Sequence, residues 1–222
     1  ARTAASAVTN DLASVIPAAV GGAIEEVGKL TLSAGDQALA YETLVESAIA
    51  LINGIDSLSS SSARSADFSI SELNSLIDAV IEVIIAKAPD AAAIKSATKG
   101  MTKGASKAGL SVEELTNETT GALAKISATI VLKIATSERT DLDKAAAVKA
   151  ASEGITEGVY TIEVIVDKDA SVTSIKVNVE GAIDSSEDPD LIAAKDEIAA
   201  AIDETSATEA ANTDTGTGTD TD

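Results

Sequence analysis

The sequence predicts a mainly α-helical bundle that carries a duplicated Ala/Gly-rich helical unit and a short C-terminal β-hairpin. Three observations lead there. Apolar residues recur at spacings of three and four over most of the chain. Hydrophobic residues make up 45% of the chain, yet its only aromatics are Phe68, Tyr41 and Tyr160, so the core must form from Ala, Ile, Leu and Val at close range. A fifteen-residue Ala/Gly-rich segment also occurs twice.

From the N-terminus, residues 4–30 read as helix, with Pro17 expected to kink or break it. A second helix is expected over Asp36–Ile52 on the spacing of Ala38, Tyr41, Val45, Ala48 and Ile52, with Gly54 placed as its C-terminal cap. Residues 1–56 form the N-terminal helical segment, and Ser57–Ser65 is a serine-rich connector. Residues 66–205 form the repeat region. Ser69 and Glu72 have capping-box spacing, Ile70, Leu73, Ile77, Val80, Ile81 and Ile84 line one helical face, and Pro89 ends the run. Ser111 and Glu114 make a second capping box between Leu110 and Leu115, and the helix they start is expected to run to about Ser137.

The period then changes. Tyr160, Ile162, Val164 and Val166 alternate with Thr161, Glu163 and Ile165, and after Asp167–Ser171 Ile175, Val177 and Val179 alternate with Lys176, Asn178 and Glu180, which predicts a β-hairpin near 159–180. Asp188 and Pro189 start a last helix with Leu191, Ala194, Ile198 and Ile202 on its apolar face. Residues 206–222 are an acidic low-complexity tail that cannot build a core.

The repeat is the most informative feature. Ala91–Ala105 returns as Ala145–Val159 at an offset of 54, with eight of fifteen positions identical, and duplication of one helical unit accounts for this. Gly100 and Gly104 lie four apart on one ridge, and Gly154 and Gly158 match them. Small residues at that spacing let helix backbones approach closely, and each glycine otherwise costs about 1 kcal/mol of helix stability against alanine. Beside the first ridge Lys95, Lys99, Lys103 and Lys107 repeat every four residues, and in the second copy Glu153 and Glu157 stand where the first has Lys99 and Lys103. Shape is kept and charge is inverted. The two ridges are therefore expected to pack with lysines against glutamates, as an internal helix pair or as a head-to-tail contact between chains.

Composition narrows the function. The chain has no histidine and no cysteine, which removes the side chain that titrates near neutrality, thiolate nucleophiles and thiolate metal sites. Ser96 and Lys99 match S-x-x-K, but no partner motif accompanies them. Asp167, Asp169 and Ser171 have the spacing of a calcium loop without its glycine or closing glutamate, and Asp184, Glu187, Asp188 and Asp190 would hold a divalent cation only weakly. No catalytic residue, metal site or cofactor is assigned. The net charge of −20 disfavours nucleic acid, and no apolar run is long enough to span a bilayer. Asn117-Glu118-Thr119 is a glycosylation sequon. The start at Ala1 reads as a processed secreted form.

These features point to a non-catalytic structural subunit of an extracellular filament or surface layer. It would form a homo-oligomer or polymer through Lys95, Lys99, Gly100, Lys103, Gly104, Lys107, Glu153, Gly154, Glu157 and Gly158. The alternative is a soluble secreted or periplasmic helical binding module, whose ridge receives a partner helix.

Overall fold

The computed structural model describes residues 2–59 and 70–214. Those residues form an all-α bundle of nine helices: α1 (Arg2–Lys29), α2 (Ala34–Ser59), α3 (Ile70–Lys87), α4 (Ala91–Lys107), α5 (Val112–Thr116), α6 (Ala122–Ala135), α7 (Lys144–Thr161), α8 (Lys168–Ser186) and α9 (Pro189–Asp214). The bonding of the Ser69–Glu72 capping box, most of the serine-rich connector and the tail beyond Asp214 lie outside the described residues.

The helices lie in two layers. In one, α1, α3, α6 and α8 neighbour each other in that order; in the other the order is α2, α4, α7, α9. In chain order, successive long helices fall alternately into the two layers. The core between them is aliphatic. Leu73, Ile77, Val80, Ile81 and Ile84 of α3 are fully buried, as are Ile126, Ile130 and Ile134 of α6.

Side-chain caps set many of the helix starts. Asp90, Asp143 and Asp167 accept backbone N–H bonds from Ala93, Ala146 and Ala170 at 2.8, 3.0 and 2.9 Å. Ser111 and Glu114 form the expected capping box, with Leu115 buried and Leu110 packed against the core. Helix C-termini receive cations, which complement the free carbonyls there. Arg139 donates to the Ile85 and Ala88 carbonyls closing α3, Lys144 to Ala135 closing α6, and Lys168 to Tyr160 closing α7.

Four local expectations need correction. Pro17 does not end α1, which continues to Lys29; Ile16, Val20 and Ile24 are buried on one face of it, and that burial offsets the lost backbone hydrogen bond. Gly54 does not cap α2, which runs on to Ser59. The helix expected from Ser111 to Ser137 is two helices. Asn117 Oδ1 accepts the N–H groups and hydroxyls of both Thr119 and Thr120, a local alternative to helix continuation.

The β-hairpin near 159–180 is the largest correction, because the structure places helices there. Tyr160 belongs to the last turn of α7, Ile162–Val166 is a connection with Ile162 and Ile165 buried, and Ile175, Val177 and Val179 lie inside α8. Val172, Ile175, Val179 and Ile183 are buried while Val177 is 62% exposed, so the face that matters repeats at three and four. Packing on α6 overrides the low helix propensity of the β-branched residues.

Candidate functional site

All four glycines singled out from the sequence are buried, and each faces a neighbouring helix. Gly100 and Gly104 of α4 face α2. A Cβ on Gly100 would run into the Glu42 carbonyl, 2.8 Å from its carbon, and one on Gly104 would lie 2.7 Å from Ile49 Cβ. Gly154 and Gly158 of α7 face α4. A Cβ on Gly154 would collide with the Lys95 carbonyl and the Thr98 hydroxyl, and one on Gly158 would lie 2.7 Å from Thr102 Cβ. Separations below 3.0 Å are not accommodated without movement, so the helices sit this close only because glycine occupies these positions.

The contacts have a direction. Helix α4 turns its glycines back towards α2 and its Thr98 and Thr102 forward to the glycines of α7. Thr98 Oγ1 donates to the Ile94 and Lys95 carbonyls of its own helix, and lies 3.2 Å from the Ala151 carbonyl of α7. On α7, Ser152 and Thr156 are likewise fully buried and bond back to Val148 and Ser152.

The charged residues form one continuous path over α2, α4 and α7. Lys107 pairs with Glu46; Glu46 meets Lys103 at 2.8 Å; Lys103 meets Glu42 at 2.7 Å; Glu42 meets Lys99 at 3.5 Å. Lys99 continues to Glu157 at 3.4 Å, Glu157 to Lys95 at 2.8 Å, and Lys95 to Glu153 at 3.0 Å. Four lysines and four glutamates alternate without a break, and the Glu42 and Glu46 side chains are only 15% exposed.

Burial alone would raise the Glu46 carboxyl, but hydrogen bonds from Lys103 and Lys107 outweigh it and hold its pKa below the usual value. Burial would depress Lys95 and Lys103, and their bonds to Glu157 with Glu153, and to Glu42 with Glu46, raise both instead.

All ten residues chosen from the sequence thus gather at two adjoining interfaces. The register differs from the simplest pairing, because Lys95 rather than Lys103 meets the α7 glutamates. Sequence reasoning missed Glu42 and Glu46. They lie four apart on α2, each one position beyond a buried residue, Tyr41 and Val45, and this marked a flank of the core face.

The remaining candidate motifs have structural roles here. Ser96 donates to the Ala92 carbonyl at 3.0 Å, while Lys99 is held between Glu42 and Glu157. Asp167 caps α8, and Asp169 accepts the Tyr160 hydroxyl at 2.9 Å. Asp188 caps α9 and meets Lys144 at 3.0 Å, and Asp184 pairs with Lys195. Among the described residues, no group of three or more acidic side chains is placed to hold a metal ion, and no helix is long and apolar enough to cross a membrane. A shallow recess of about 570 Å³ lies beside Arg139, and its Lys133 and Glu82 pair with each other at 3.0 Å.

No protein-family model matches the chain, and neither a curated protein nor a solved structure shows significant similarity to it.

Proposed function

We propose that this chain is a non-catalytic structural subunit that self-associates into an extracellular filament or surface layer. One observation carries the reading. The α2–α4–α7 row is built from interfaces that are not self-complementary, each joining a glycine ridge on one helix to a different surface on the next. Such a heterologous contact, made between copies, repeats head to tail and builds a ring or an open filament. We read α3–α4 and α6–α7 as two copies of one duplicated hairpin unit. The equivalence of Gly100 with Gly154, Gly104 with Gly158, Thr98 with Ser152 and Thr102 with Thr156 supports this. The engagement of Ser96 and Lys99 in structural bonds supports a non-catalytic role.

Sedimentation velocity with negative-stain microscopy on the full chain tests the proposal. Assemblies should grow with protein concentration. They should also grow with added salt, which screens repulsion between copies of net charge −20. A single monomeric species throughout would overturn it. That result would favour a soluble binding module, whose apolar contact would come from Leu39 and Leu51, 61% and 52% exposed on α2.

A further inference from the structure

We propose that the α4 ridge of Gly100 and Gly104, with its flanking Lys99, Lys103 and Lys107, is an exchangeable docking surface that takes the α2 helix of a second copy in place of its own. The proposal rests on the assembly reading above and names the contact by which copies join.

Complementarity identifies the occupant. The ridge needs a helix whose backbone fits closely over two glycines and whose carboxylates, four residues apart, reach three lysines. Helix α2 meets both needs, with the Glu42 carbonyl and Ile49 over the glycines and Glu42 and Glu46 among the lysines. Nothing in that contact depends on both helices belonging to one chain. The acidic pair of α7, Glu153 and Glu157, is already engaged by Lys95 and Lys99.

Chain order makes the exchange accessible. The α1–α2 hairpin is the first pair in each layer, with α2 seated mainly on α4 and α1 on α3, so it can transfer without threading through the remaining helices. Ten residues, Ser60–Ser69, join α2 to α3. At full extension a link of that length reaches about 35 Å, comparable with the diameter of a small domain. If each copy receives the hairpin of one neighbour and gives its own to another, the same α2–α4 contact propagates head to tail.

Isotope mixing tests this on the unaltered protein. Unlabelled and ¹⁵N-labelled chains are mixed unfolded, refolded together at high concentration and treated with a water-soluble carbodiimide. The reagent joins a lysine amine to a carboxylate in contact with it, with loss of water taken up by the carbodiimide as its urea. Lys103 lies 2.7 Å from Glu42 and 2.8 Å from Glu46, so cross-linked peptides between these residues report which chain supplied α2. The expected result is assemblies whose Lys103–Glu42 and Lys103–Glu46 cross-links contain one light and one heavy peptide in the proportion of random pairing. Assemblies with only same-isotope cross-links would overturn the exchange and leave the assembly reading standing. Same-isotope cross-links in a solution of monomers would overturn both.

Discussion

The two layers of the bundle are held together differently. The α1, α3, α6, α8 layer carries large buried aliphatic side chains such as Ile77, Ile81, Ile130 and Ile134; its close approach at Gly21 of α1 is to the Val83 side chain rather than to backbone, and charged pairs such as Lys125–Asp78 and Lys133–Glu82 sit at the exposed margin. In the other layer, α2, α4 and α7 meet through Gly100, Gly104, Gly154 and Gly158, and the ion pairs of these three helices are drawn into the contact. Volume stabilises the first layer. In the second, missing volume lets backbones approach, and carboxylates and ammonium groups close around the seam. One layer should therefore fail when atoms are removed, the other when atoms are added.

The largest effect should come from the aliphatic layer. Ile130→Ala leaves a cavity at a fully buried position and should cost about 2–5 kcal/mol in chemical denaturation. Gly154→Ala tests the other layer with one added methyl. Its Cβ meets backbone at Lys95, which cannot rotate away, so overpacking of about 1–3 kcal/mol should exceed the helix-propensity gain of about 1 kcal/mol. Gly181→Ala separates the two terms. No atom lies within 4 Å of a Cβ there, so it should stabilise the protein by up to about 1 kcal/mol. If Gly154→Ala stabilises as Gly181→Ala does, the contrast between layers is lost.

Charge reversal has a smaller effect and tests the path itself. Changing Lys99 and Lys103 to Glu should lower stability by about 1–2 kcal/mol, more than exposed pairs lose because these lie partly buried. Changing Glu153 and Glu157 to Lys in the same protein repairs only the Lys99–Glu157 pair and sets both new lysines against Lys95. Glu42 and Glu46 still face the new glutamates. Full recovery should require Glu42→Lys, Glu46→Lys, Lys95→Glu and Lys107→Glu as well, so that all eight charges of the path are reversed, and the midpoint of thermal unfolding reports each step. Recovery from the four-residue reversal alone would show that α2 carries no part of the pairing.

The contrast also explains what the sequence revealed. The glycine ridges and the charge inversion were legible because two segments of similar sequence can be aligned in register against a background of alanine, and all ten chosen residues meet at the α4 interfaces. Glu42 and Glu46 belong to no repeat, and their partners are about sixty residues away in sequence, so no local spacing connects them. The α8 helix was hidden for another reason. Ile175, Val177 and Val179 are β-branched and alternate, but Val172 and Ile183 extend the buried face at helical spacing on either side. A short window saw the period of two; only the whole helix, anchored by its Asp167 cap, shows the other. Asn117 broke a continuous apolar pattern through side-chain bonds to Thr119 and Thr120, which hydrophobic periodicity does not register.

The smallest effect sharpens the comparison by pH. Glu46 titrates below the ordinary carboxylate value in the folded chain, so its contribution to stability is present above its unfolded pKa of about 4.3 and is lost as pH falls through the depressed folded value. Lys95 and Lys103 titrate above the ordinary ammonium value, so their contributions are complete below an unfolded pKa of about 10.4 and are lost as pH rises through the raised folded values. With no histidine in the chain, no unperturbed side chain titrates between these limits, and stability should be flat from about pH 6 to pH 9. Glu46→Gln removes a carboxylate from the centre of the α2–α4 path. It should lower the plateau by about 1 kcal/mol and make the fall in acid shallower, while leaving the alkaline fall that Lys95 provides through Glu153 and Glu157. Urea midpoints measured across pH for the two proteins check this. An acid limb unchanged by the substitution would mean that Glu46 contributes no pH-dependent stability to the seam, leaving the glycine contacts as what distinguishes the second layer.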